Sequence, residues 1–365
     1  MTVARDARIQ PRDDLRSLEG YHSPQVDVRV RLNTNESPYA PPAEFVQRYT
    51  DALRDVAWHR YPDRGAQDLR DALGAALGQP SERLLCANGS NEILQTLLLT
   101  YGGAGRRALI FEPTYALHAH IAEITNTEIV SGERSADFTV DADAAVALVR
   151  STRPSLVFLC SPNNPTGTIE PRETVERLLA VAAEVGALLI VDEAYGEFAP
   201  WSALELVADD QPLVVVRTYS KVWSLAAVRL GFAVAPTWVI GELDKVLLPY
   251  ALSVPTQLAG TIALDFHAEM EKRVAALVEE RGRIFAGLNE LRGLSVVPSG
   301  ANFLLVRVHG DAHDLWKRLL DRGVLVRDFS SRPGVEGCFR ITVGSPEEND
   351  AFLAAINAAL PEVVR

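Results

Sequence analysis

The sequence predicts an α/β protein with a large domain, whose mostly parallel sheet is covered by helices on both faces, a smaller α/β domain at the carboxyl end, and an amino-terminal arm. Three observations carry this expectation. Short apolar runs alternate strictly with amphipathic stretches from about residue 107 to residue 236, the pattern of parallel strands joined by helices. After Leu248 the composition shifts to a long helical run and then to a second, shorter alternation. Residues 1–40 are polar and proline-rich and include LNTNESPYAPP, the composition of an arm laid over a larger body. The expected divisions are 1–40 for the arm, packing with the small domain and a partner subunit, 41–252 for the large domain and 253–365 for the small one.

In chain order, PAEFVQRYTDALRD has proline at its start and reads as a helix, followed by the turn RYPDRG. AQDLRDALGAAL spaces its apolar residues by three and four, which makes a second helix. RLLCANGSNEILQTLLLTYGG is a short strand stopping at Asn88-Gly89, with a helix beginning near Ser90 or Asn91 and Glu92 in its first turn. The free amides and the positive end of that helix make an anion site. The following strands end in ALIFEPTY, SLVFLCSPNNPTGT, ALLIVDEAYGEF and LVVVRTYSK, so that polar and aromatic residues crowd one crevice. GFAVAP completes the series. The small domain is then LSVVPSGANFLLVRV, the helix AHDLWKRLLDRG, GVLVRDF, CFRITVG and the helix SPEENDAFLAAINAAL.

The 365 residues are 47% hydrophobic and 23% charged, which suits a globular protein with one large core and a smaller one. A net charge of -12 argues against nucleic acid and against an anionic membrane surface as partners. The three cysteines lie far apart without a CxxC, so neither a disulfide framework nor a zinc site is indicated. His118 and His120 mimic a metal pair, but no nearby acid completes it, and an exposed helix face is expected there. No metal is expected. The charged start of the chain and the lack of a span-length apolar run predict a cytoplasmic protein.

The crevice centres on RTYSKVWSLAAVRLG, Arg217 to Gly231. A buried strand delivers Thr218, Ser220 and Lys221 at its carboxyl end, where open α/β sheets place their ligands, and Arg229 follows. A lysine crowded at a strand end loses proton affinity and can then form a Schiff base with an aldehyde. The hydroxyls and the arginine form a phosphate cradle. Aldehyde plus phosphate points to pyridoxal 5'-phosphate.

LNTNESPY, RYPD, GSNE, PTY, SPNNPTGT, VDEAYGEF, RTYSK, VRLG, ANFLLV, GVLVRDF and FRITVG, in this order and spacing, resemble the histidinol-phosphate aminotransferases, within the fold type I aminotransferases that depend on pyridoxal phosphate. The resemblance runs from about Tyr21 to Asn349. It implies that Lys221 binds the cofactor covalently and shuttles the proton, and that Asp192 pairs with the pyridine nitrogen so that the ring can absorb electrons. It also implies that Asn164 and Tyr195 hold the phenolic oxygen and that Tyr115 lies on the ring face. The phosphate would be held by Ser90, Asn91, Thr218, Ser220 and Arg229, with Tyr61 reaching it from the other subunit of a homodimer with a shared active site. Arg340 would clamp the carboxylate of glutamate, and Tyr21, Asn35 and Arg327 would join it around histidinol phosphate. Two places depart from the family's usual text: Ser37 in NESP stands where asparagine is usual, and Trp223 to Val228 stand where glycines are common.

Two rivals remain open at this level. An aromatic amino acid aminotransferase shares the same core, and specificity rests on a few pocket groups. A non-catalytic protein could keep the fold for binding or regulation, although Lys221 and Asp192 are both present. A nicotinamide dehydrogenase needs its glycine loop between a strand and a helix; YGGAG lies in the reverse order.

Overall fold

A computed structural model describes residues 9–16, 18, 20 and 24–364. Tyr21 lies outside the described residues. The arm contributes β1 (Val30–Leu32), and α1 (Ala43–Arg54) and α2 (Gln67–Leu77) follow. Next come β2 (Leu84–Ala87), α3 (Ser90–Tyr101), β3 (Arg107–Glu112), α4 (Ala116–Ile124), β4 (Glu128–Glu133), α5 (Ala142–Thr152), β5 (Leu156–Cys160), α6 (Arg172–Val185), β6 (Leu188–Asp192), β7 (Leu213–Thr218), β8 (Gly231–Val234) and α7 (Thr237–Val246). The chain ends with α8 (Val254–Leu264), α9 (His267–Asn289), β9 (Leu294–Val296), β10 (Phe303–Val308), α10 (Ala312–Asp321), β11 (Val324–Phe329), β12 (Cys338–Thr342) and α11 (Pro346–Ala359).

The larger sheet has the order β2-β8-β7-β6-β5-β3-β4. Its strands β3 to β7 are parallel, and β8 runs against both of its neighbours, β2 and β7. Alternate side chains of these strands enter two different layers: Val157, Leu159, Leu189 and Val191 face one, whereas Leu156, Phe158, Leu188 and Ile190 face the other. Burial on both faces is why these strands read as unbroken apolar runs. The edge strand β4, EIVSGE, is only partly buried and lacks that run, so its sequence does not announce it.

The second sheet has the order β1-β11-β12-β10-β9, with the arm strand β1 parallel to β11. Helix α8 packs against α1 and α2. The stretch just after residue 252, where the change of composition puts the start of the small domain, therefore still packs against helices near the start of the large one. Composition does not record such contact with helices far earlier in the chain.

Among the described residues no helix is long and apolar enough to cross a membrane. The three cysteines are unpaired and buried.

Candidate active site

The carboxyl ends of β5, β6 and β7 open onto a cavity of about 410 Å³. Ser90, Asn91, Tyr115, Asn164, Asp192, Tyr195, Thr218, Ser220, Lys221, Arg229 and Arg340 all line it. Parallel strands end level with one another, so residues far apart in sequence meet there.

One end of the cavity is built for an anion. Helix α3 starts at Ser90, its first residues Ser90 and Asn91 line the cavity, and Glu92 folds back to accept from the Asn88 amide at 2.6 Å. Across from it, Thr218 Oγ1 donates to Ser220 Oγ at 3.0 Å, and Arg229 Nη1 donates to the same Ser220 oxygen at 3.2 Å. Gly89 has φ +82, and a Cβ there would stand 2.5 Å from Arg229 Nη2. Gly231 is equally constrained, since its Cβ would meet the Ser90 amide nitrogen at 2.3 Å. Gly89 leaves room for the guanidinium beside the helix start, and Gly231 lets β8 pass close against the backbone of Gly89 and Ser90.

Lys221 projects into the middle. Its Nζ donates to the Thr34 carbonyl of the arm at 2.9 Å. Burial, reinforced by the Arg340 charge, lowers its pKa from the ordinary 10.5 to about 7, with Glu36 opposing the fall and Arg229 adding to it. The loop that carries it is anchored by Tyr219, fully buried and stacked on Trp223 at 5.1 Å. At the neighbouring strand end, buried Glu193 accepts from Arg217 Nη2 at 2.8 Å and from Ser202 Oγ at 2.7 Å, which ties the end of β6 to β7.

Asp192 is buried at the end of β6. Its Oδ1 accepts the Ala194 amide at 3.1 Å, and its Oδ2 lies 3.0 Å from His118 Nε2. His118 is fully buried between Tyr115 and Phe158, which corrects the expectation of an exposed helix face. The reason is helical spacing. His118 shares the inward stripe of α4 with Ile121 and Ala122, three and four positions on. That spacing was the signal available in the sequence.

The far side is cationic. Arg340 on β12 is buried, donating from Nη1 to Asn164 Oδ1 at 2.5 Å and from Nη2 to the Asn33 carbonyl at 2.8 Å. Arg327 does not line the cavity but stands directly opposite Arg340 in the antiparallel pair of β11 and β12. Asn35, buried with φ 54, donates from Nδ2 to Tyr195 Oη at 2.8 Å. Burial pushes the Tyr195 phenol up to about 12, and the Arg340 charge and the Asn35 hydrogen bond offset part of that rise. Tyr61 sits outside the cavity, 80% exposed and stacked on Tyr250 at 4.6 Å.

Residues 28–356 match the family model described as aminotransferase class I and II. The histidinol-phosphate aminotransferase of Mycolicibacterium smegmatis is 45% identical over 359 residues, which is 96% of this chain and 93% of that protein. That of Corynebacterium glutamicum is 43% identical over 354 residues, 94% of each. The chain belongs to the histidinol-phosphate aminotransferases, within aminotransferase class I and II. Among solved structures, the histidinol-phosphate aminotransferase from Sinorhizobium meliloti in complex with pyridoxal-5'-phosphate superposes with a TM-score of 0.88 at 25% identity, covering 98% of this chain and 99% of that one.

In this aminotransferase the arm contributes more than sequence reasoning assigned to it. Asn33, Thr34, Asn35 and Glu36 all line the cavity, whereas the resemblance implies a role for Asn35 alone among them. The two departures from the family's usual text also meet, because Ser224 Oγ donates to Ser37 Oγ at 2.9 Å. Ser37 thus joins the arm to the lysine loop.

Proposed function

We propose that the chain is a pyridoxal 5'-phosphate-dependent aminotransferase that moves the amino group of L-glutamate to imidazole-acetol phosphate, giving 2-oxoglutarate and L-histidinol phosphate. The observation that carries this reading is that one cavity holds an amine lowered to about 7, a buried carboxylate fixed by a histidine, and a buried guanidinium. When bound, the cofactor supplies a ring that accepts the electron pair left at the substrate carbon.

The residues present fit that group. The α3 amides, Thr218, Ser220 and Arg229 would take its phosphate, with Gly89 leaving room for the guanidinium and Gly231 for the close passage of β8 against the helix start. Asp192 would face the ring nitrogen and keep it protonated, Asn164 and Tyr195 would hold the phenolic oxygen, and Tyr115 would cover one ring face. Lys221 would take the proton from the substrate carbon at Nζ and return it on the other side of the exchange. Arg340 would bind the carboxylate of glutamate in one half reaction and the phosphate of the second substrate in the other, with Arg327 behind it.

We further infer a homodimer in which Tyr61 reaches the phosphate site of the partner. Tyr61, Tyr250, Trp58 and Leu248 are large apolar groups left exposed on the single chain, and a second copy would cover them. The three unpaired, buried cysteines suit a cytoplasmic enzyme.

The test is kcat/KM with histidinol phosphate against phenylalanine. We expect a preference for histidinol phosphate; a preference of about tenfold or more for phenylalanine would assign the chain to the aromatic aminotransferases. A purified protein that neither carries nor gains a cofactor absorbance band would be a non-catalytic relative.

A further inference from the structure

The residues lining the cavity carry three cationic side chains, Lys221, Arg229 and Arg340, and two carboxylates, Asp192 and Glu36. Both oxygens of Asp192 are engaged, by the Ala194 amide and by His118. Glu36 is different. Its Oε2 accepts from Thr34 Oγ1 at 2.9 Å and from Arg31 Nη2 at 3.3 Å, and its Oε1 takes no hydrogen bond among the described residues. The side chain is 42% exposed and sits at the cavity mouth, close enough to Lys221 for its charge to act on the amine.

A carboxylate in this place needs a reason. Glutamate is an anion and so is a phosphate ester, and both would be repelled by it. The part of the proposed second substrate that is not anionic is the imidazole, which carries an N–H and is readily protonated. Lys221 already donates to the carbonyl of Thr34, two residues before Glu36, so a carbon reacting at Nζ lies beside this stretch of the arm, and Glu36 lines the same cavity.

We propose that Glu36 determines specificity by accepting, at Oε1, a hydrogen bond from the imidazole N–H of the substrate. The inference rests on the histidinol-phosphate reading above. A phenyl ring of similar size offers no donor, and it would cover Glu36 while leaving the carboxylate unpaired. The arm would thereby read the ring and Arg340 the anion.

The experiment uses the holoenzyme and follows the cofactor absorbance in the half reaction with histidinol phosphate and with phenylalaninol phosphate, which differ only in the ring. In Glu36→Ala the ratio of the two kcat/KM values falls by about tenfold or more, mainly through KM for histidinol phosphate. Glu36→Gln keeps one carbonyl oxygen, which the imidazole N–H can draw to the Oε1 place at the expense of the Thr34 and Arg31 bonds, and it retains more of the ratio than Glu36→Ala does. A ratio unchanged in Glu36→Ala, or an equal fall for both substrates, overturns the proposal, the latter because it marks Glu36 as a mere staple of the arm. Equal behaviour of the two variants overturns the hydrogen bond. A wild-type enzyme that ignores histidinol phosphate overturns the functional reading and this one together, whereas an active wild type with an unchanged ratio sinks only this one.

Discussion

His118 Nε2 lies 3.0 Å from Asp192 Oδ2, with both side chains shut off from solvent. His118 Nδ1 has no partner among the described residues, so the ring donates through Nε2 and holds the carboxylate in one orientation. The pair ties α4 to the end of β6.

His118→Ala leaves Asp192 with only the Ala194 amide. Losing one charge-assisted hydrogen bond in a buried site is worth about 1–3 kcal/mol, so kcat falls about tenfold or more. Cofactor affinity falls with it. Steady-state kinetics together with a cofactor titration check both; unchanged values would reduce His118 to core packing.

The lowered pKa of Lys221 has a definite sign. The amine is neutral above about 7, whereas an ordinary lysine is neutral only above 10.5. Cofactor uptake by the cofactor-free protein, followed by absorbance, should therefore rise with pH and level off just above 7. Arg340→Met removes the second-largest cause of the shift and moves that midpoint upward. In the folded chain the lysine binds fewer protons than in the unfolded one, so its burial costs stability below about 7 and the cost fades as the pH approaches 10.5. The melting temperature of cofactor-free Lys221→Met should exceed that of wild type at neutral pH, with the gap closing at high pH.

Arg340→Lys keeps the charge and loses the planar fork that now spans Asn164 and the Asn33 carbonyl. If one guanidinium serves both anions, as proposed, KM rises for glutamate and for histidinol phosphate alike, by about tenfold or more. A rise for one substrate alone would give the other anion to Arg327.

Tyr61 is tested by mixing. Tyr61→Ala and Lys221→Ala are each inactive or weak alone, but a mixed dimer rebuilds one complete site if Tyr61 serves its partner. Random reassociation should restore about a quarter of wild-type activity. No recovery would place Tyr61 outside the shared site.

The buried pair Arg134 and Glu170 is a structural element. Glu170 Oε2 also accepts the Val140 amide at 3.1 Å, and its own amide donates to Ser161 Oγ at 3.0 Å. Burial raises the Glu170 pKa in spite of the arginine. Glu170→Ala strands a buried guanidinium and should cost about 3–5 kcal/mol in urea unfolding.

The sequence by itself determined the central strands of the sheet and most of the residues that line the cavity. Strands buried on both faces must be continuous apolar runs, so Leu156, Leu188 and Leu213 start recognisable strands, and Asn164, Asp192 and Lys221 follow at ends that a parallel sheet brings level. Tertiary structure alone decided the partners that come from elsewhere in the chain. Thr34 meets Lys221, Asn35 meets Tyr195, Asn33 meets Arg340 and His118 meets Asp192 across long stretches of chain, and no local periodicity encodes those encounters. Local spacing fixes which face a side chain takes; packing between elements fixes what it finds there.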